Sequence, residues 1–147
     1  MKILFTLISA FLVGASAAYA CAEHATEHTQ VVHEDSACPI YFKNNQLCAE
    51  IEFAKGPFNG EESQFIVKFF DHASAHGEHV MKDPAHLKID LWMNMGHHGH
   101  GSSPVKIVKQ DQGVYFVSEA YFVMAGRWQV RFFVNGEQAQ YNVDVEP

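Results

Sequence analysis

Trp128-Gln129-Val130-Arg131-Phe132-Phe133-Val134-Asn135-Gly136 is the stretch on which the fold turns. Trp128, Val130, Phe132 and Val134 alternate with Gln129, Arg131 and Phe133, a period of two that gives a strand one apolar face. Asn135-Gly136 supplies the two positive φ values of a tight hairpin, so the chain is expected to reverse into a strand over Ala139 to Val145. The same alternation recurs upstream. Leu47, Ala49, Ile51 and Phe53 alternate with Cys48, Glu50 and Glu52; Phe65, Val67 and Phe69 with Gln64 and Lys68; Leu87, Ile89 and Leu91 with Lys88 and Asp90. Shorter strands are expected over Val105 to Lys109 and Val114 to Met124, the latter weak near Ser118-Glu119. Turn residues fall at Gly56-Pro57, Asn59-Gly60 and Asp111-Gln112-Gly113. About seven short antiparallel strands at this spacing indicate an all-β, immunoglobulin-like or cupredoxin-like sandwich.

The 147 residues are 48% apolar and 18% charged, which excludes disorder, coiled coil and collagen and fits one globular domain, expected over residues 38–147. Ten basic residues stand against 17 acidic ones, a formal charge of −7, so the chain cannot neutralise a nucleic-acid backbone. It holds no Gly-rich phosphate loop, Gly-x-Ser-x-Gly elbow or Cys-x-x-Cys pair, and a non-enzymatic role is expected.

Lys2, the apolar run Ile3 to Val13 and the Ala18-Tyr19-Ala20 cleavage signal read as a signal peptide over residues 1–20. The run is shorter than the roughly 20 residues a membrane anchor needs. Export to a periplasmic or other extracytoplasmic compartment follows. Cys21 would open the mature chain, either acylated, which tethers the protein to a membrane as a lipoprotein, or free. Residues 21–37 are polar and aperiodic and read as a flexible, histidine-containing tail. In an oxidising compartment thiols pair, and Cys38 and Cys48, with the turn-like Lys43-Asn44-Asn45 between them, are expected to form a disulfide.

All ten histidines lie beyond the expected leader. Met93-Asn94-Met95-Gly96-His97-His98-Gly99-His100-Gly101 carries two thioethers and three imidazoles directly after a strand. Met93 and Met95 share the parity of Leu91, so both can serve as core caps. The histidines stand among three glycines, with no core to fill and a backbone free to fold round an ion. Soft thioethers with imidazoles select copper, Cu(I) above all, with Cu(II) open to the imidazoles. If each strand crosses the sandwich once, Met124 returns to the end that holds residues 93–101, bordered by the Gly56 to Glu62 loop. Met93, Met95, His97, His98, His100 and Met124 are the expected metal residues.

The stretches Leu91-Trp92-Met93-Asn94-Met95-Gly96-His97, Gly101-Ser102-Ser103-Pro104-Val105, Gly113-Val114-Tyr115 and Phe122-Val123-Met124-Ala125-Gly126-Arg127-Trp128 resemble the YtkA-like/FixH-like group of small extracytoplasmic β-sandwich proteins. The resemblance covers roughly residues 45–145. It implies copper handling or copper-enzyme assembly, a metallochaperone role carried on Met93, Met95, His97 and Met124, with a copper-delivery or oxidase-assembly partner. No proline lies between Met93 and Met95, and His98 and His100 are additions to the group's pattern.

His72, His76 and His79 are spaced i, i+4, i+7. On a helix they share one face and form a second metal site; Asp71, Gly77 and Pro84 fit a solvated loop equally well. The tail's His24, His28 and His33 can collect metal loosely, and the His24-Ala25-Thr26-Glu27-His28 match to a metalloprotease pattern has no buried helix to hold it. Two other functions fit the composition: an envelope interaction module whose histidines are incidental or sense pH, and a zinc or nickel scavenger using imidazoles alone.

Overall fold

A computed structural model describes residues 37–147. The expected signal peptide, Cys21 and the tail histidines lie outside the described residues. Ala37, the last residue of the expected tail, packs against the cluster of Cys38, Cys48, Phe70 and Ala75.

Among the described residues the strands are β1 (Ile40–Phe42), β2 (Leu47–Lys55), β3 (Ser63–Asp71), β4 (Lys88–Asn94), β5 (Gly99–Gly101), β6 (Lys106–Asp111), β7 (Val114–Ala120), β8 (Gly126–Val134) and β9 (Glu137–Val145). They form two antiparallel sheets, ordered β1-β2-β3-β7-β6 and β5-β4-β8-β9, packed as a β-sandwich. The count is nine rather than about seven. The additions are short: Ile40-Tyr41-Phe42 shows no alternation, and Gly99-His100-Gly101 has no apolar side chain. Each is a strand because of its neighbour, β2 and β4 respectively.

The alternation of β8 is realised in full, with Trp128, Val130, Phe132 and Val134 all buried. They pack on Phe65, Val67, Phe69 and Val117 of the facing sheet and on Ile89 and Leu91 of β4. Each such side chain contributes about 1.5–3 kcal/mol by leaving water. The β8–β9 hairpin turns at Asn135 and Gly136, with φ of 48° and 82°. The weak point of the Val114 to Met124 stretch is a bulge: Phe65 faces Val117, but Ser63 faces Ala120. Glu119, at φ 56°, donates its N–H to the Glu62 carboxylate there, and β7 ends at Ala120 rather than Met124.

Cys38 and Cys48 form the expected disulfide, with Cα atoms 5.3 Å apart. It sits with Phe70 in a second, smaller cluster on the outer face of the five-stranded sheet. The segment after β3 closes over that cluster: Lys82 N–H donates to Phe69 C=O at 3.0 Å, and Asp71 N–H to Val80 C=O at 2.9 Å.

Candidate functional site

The β2–β3, β4–β5 and β7–β8 connections meet at one end of the sandwich. Gly60 N–H donates to Phe122 C=O at 2.7 Å, and the Ser102 hydroxyl donates to Tyr121 C=O. The strand-by-strand count therefore puts Met124 at the same end as the Met/His stretch, as expected from sequence.

The stretch is a hairpin. Asn94 Oδ1 accepts from Gly96 N–H at 3.0 Å, Gly96 takes φ 83°, and Met95 N–H donates to His98 C=O at 2.9 Å. This turn ends the alternation of β4. Met93 lies in the core, 5% exposed, whereas Met95, at the shared parity, is turned out and 44% exposed. His97, His98 and His100 are exposed, and the rings of His98 and His100 stand 5.6 Å apart, edge to face.

His100 pairs with Met93 across β5 and β4, and Met93 pairs with Trp128 on β8. Directly paired residues share a face, so His100, Met93 and Trp128 form one inward row that runs from the exposed edge to the buried centre. Met124 is half-buried against the core, and its carbonyl accepts the Trp128 indole N–H at 2.9 Å. Gly126, at φ 130°, passes close over Met93: a Cβ there would meet Met93 Cε at 3.0 Å. Phe58, Tyr121 and Val123 add exposed apolar side chains at this end.

The glycines of the stretch have a role that sequence reading missed. Trp92 lies on the outer face of β4 against Gly99 and Gly101, where a Cβ on Gly99 would enter its ring. Arg131 covers the indole, 4.5 Å from guanidinium carbon to ring centroid, and is itself held by two bonds to the Asp90 carboxylate at 2.6 and 3.1 Å. The legible signal was Trp92 beside a Gly-x-Gly strand; the expectation that these glycines free the backbone for an ion is corrected for Gly99, where the Trp92 ring takes the place of a side chain.

His72, His76 and His79 lie at the opposite end and do not share a helical face. Only His72–Ser74 form a 3-10 turn, capped by Asp71, whose carboxylate accepts from Ala73 N–H. His72 packs on the Tyr41 ring with centroids 4.5 Å apart, and His79 stacks flat on Phe70 at 3.7 Å. Among the described residues no three His, Cys, Asp or Glu side chains gather as a metal-holding group. No described helix is long and apolar enough to cross a membrane.

No curated protein matches this chain. A solved structure described as "Crystal structure of the Lin-41 filamin domain" aligns at a TM-score of 0.45 and 13% identity, covering 67% of this chain and 91% of that one. The profile of the YtkA-like family matches residues 43–133, from the β1–β2 turn to the end of β8. The Met/His hairpin and the Met124 turn lie inside that match, and the chain belongs to the YtkA-like family.

Proposed function

We propose that this is an exported copper-binding protein that buffers, sequesters or delivers copper through thioether and imidazole donors at one end of its sandwich. The observation that carries the reading is the convergence of Met95, Met124 and the His97, His98 and His100 imidazoles on a single end, although they come from the β4–β5 hairpin and from the separate β7–β8 connection. Met95 and Met124 add thioether donors to these imidazoles. That chemistry favours a soft ion: thioether stays neutral and ligating at any pH, and with imidazole it suits Cu(I). His98 and His100, 5.6 Å apart between ring centroids, stand close enough for their nitrogens to turn toward one ion at the usual distance of about 2.0–2.1 Å. Met93 packs in the core beneath Gly126 and forms the floor of this end.

Export rests on the leader reading and suits the Cys38–Cys48 disulfide. Delivery would use a partner that docks at the exposed Met95 end, where Phe58, Tyr121 and Val123 offer apolar surface. Titration of the purified protein with Cu(I) against a competing chelator, beside Cu(II) and Zn(II), tests the reading. Tighter binding of Cu(I) than of Zn(II) is expected, and a preference for Zn(II) would overturn it.

A further inference from the structure

β4 is an interior strand along only part of its length. β8 flanks Lys88 to Met93 on one side, but on the other β5 covers only Trp92 to Asn94. The ladder on that side pairs Asn94 with Gly99, Met93 with His100 and Trp92 with Gly101, and Ser102 N–H extends it by donating to Leu91 C=O at 3.2 Å. In an antiparallel ladder a residue sends its N–H and C=O to the same side, and residues two apart agree. Leu91 and Met93 thus face β5, and Ile89 faces the same edge. The register would next bring residue 104 opposite Ile89. That residue is Pro104, which has no N–H to give, and from there the chain departs to β6.

Among the described residues nothing hydrogen-bonds Ile89 on this edge. Ile89 is nonetheless 4% exposed, and backbone groups this deep are nearly always paired. They front a cleft of about 390 Å³ between the sheets, with Leu87, Ile89, Pro104, Val105 and Ile107 as its apolar walls.

We propose that this edge takes up an extended segment of a partner protein, added antiparallel to β4 beside Lys88–Asp90. An extended backbone presents one N–H and one C=O at the spacing that Ile89 leaves open. The incoming residue opposite Ile89 points between the sheets and is apolar, as the walls require. The residue opposite Lys88 points outward and is acidic. Arg131 already neutralises Asp90 through two bonds, so Lys88, 3.8 Å from the same carboxylate, is the surplus cation of the three. A second copy pairing the same edge would bring its own β5 and Pro104 into the cleft, whereas a free segment brings only its own width. This surface adjoins the Met/His end through Ser102, which lines the cleft, but does not depend on its metal chemistry.

The test is amide hydrogen exchange on the isotope-labelled protein with the peptide acetyl-Thr-Val-Glu-Val-Thr-amide, whose first valine falls opposite Ile89 and whose glutamate falls opposite Lys88. With saturating peptide the Ile89 amide should exchange about tenfold slower or more, while the Val130 amide inside the sheet is unchanged. The same peptide N-methylated at its first valine should give no protection, and lysine in place of glutamate should weaken binding. Ile107→Glu, which charges the wall, should also abolish the peptide's effect. Unchanged exchange at Ile89 with millimolar peptide would overturn the proposal. So would an Ile89 amide already as protected as that of Val130 in the free protein, or protection that follows protein concentration alone, which would assign the edge to a second copy.

Discussion

Residue 99 and the indole of Trp92 compete for one space: a Cβ on Gly99 would stand 2.6 Å from Trp92 Cε2 and 2.8 Å from Nε1. The tryptophan is pressed between this glycine strand and the Arg131 guanidinium, a cation–π contact worth about 0.5–2 kcal/mol. β5 carries no apolar side chain, so the indole gives that strand its packing and fixes the arm on which His100 stands.

Gly99→Ala should therefore destabilise the fold by about 1–3 kcal/mol, the usual effect of forcing atoms into filled space. Gly101→Ala should not, because its Cβ would meet Trp92 Cε3 at an ordinary 3.7 Å. Urea unfolding followed by tryptophan fluorescence measures both. Equal midpoints for the two variants would contradict the packing described.

Cys38 and Cys48 close a loop of sequence separation 10 within a buried cluster. Replacing both by alanine should lower stability by about 3 kcal/mol, on the loop-entropy account. Non-reduced protein should resist alkylation at both positions until unfolded in the presence of reductant. Thermal melts and mass spectrometry check the two statements.

Much of the fold was legible because strand alternation is written directly into the residues. β3 and β8 bury every position their alternation marks, β2 and β4 bury Leu47, Ala49, Ile89 and Leu91 while Ile51, Phe53 and Leu87 are half-buried, and Asn135-Gly136 turns where Asn-Gly must. β5 was hidden because Gly99-His100-Gly101 becomes a strand only when Trp92 covers it. At the Met/His end, the count of strand crossings placed Met124 at the same end as the hairpin, but parity misjudged Met95. The Asn94–Gly96 turn breaks the extended chain, so Met93 goes inward and Met95 outward. The His72–His79 spacing was ambiguous in sequence. It was decided by Phe70 and Tyr41, whose rings hold His79 and His72 to the sheet instead of to each other.

At the opposite end Asp83 accepts from Lys109 Nζ at 2.6 Å, Gly113 N–H at 2.9 Å and the Tyr115 hydroxyl at 3.1 Å. Lys109 first, then the Gly113 N–H, holds the Asp83 carboxyl below its ordinary range. Its stabilising contribution is present above the ordinary aspartate value and is lost as pH falls through the lowered one. Burial first, then Asp83, pushes the Tyr115 phenol up to about 12. That contribution is complete below the ordinary value of 10.0 and disappears as pH rises from there to about 12. Tyrosinate absorbance should show one phenol ionising late, and Asp83→Asn should lower its pKa only partway, since burial is the larger cause. A late phenol unaffected by Asp83→Asn would contradict the contact.

Replacing Met95 and Met124 together by leucine addresses the copper reading most directly. Leucine keeps volume and apolarity, and Met95 is exposed while Met124 is only half-buried, so stability should change by less than about 1.5 kcal/mol. Cu(I) affinity, measured in competition with a chelator, should fall at least about tenfold, a loss of 1.4 kcal/mol or more. Cu(II) binding should persist through His97, His98 and His100, because imidazole suits that ion without thioether help. Equal Cu(I) affinity in the parent protein and the Met95→Leu/Met124→Leu variant would contradict the thioether site and leave only exposed histidines at this end of the sandwich.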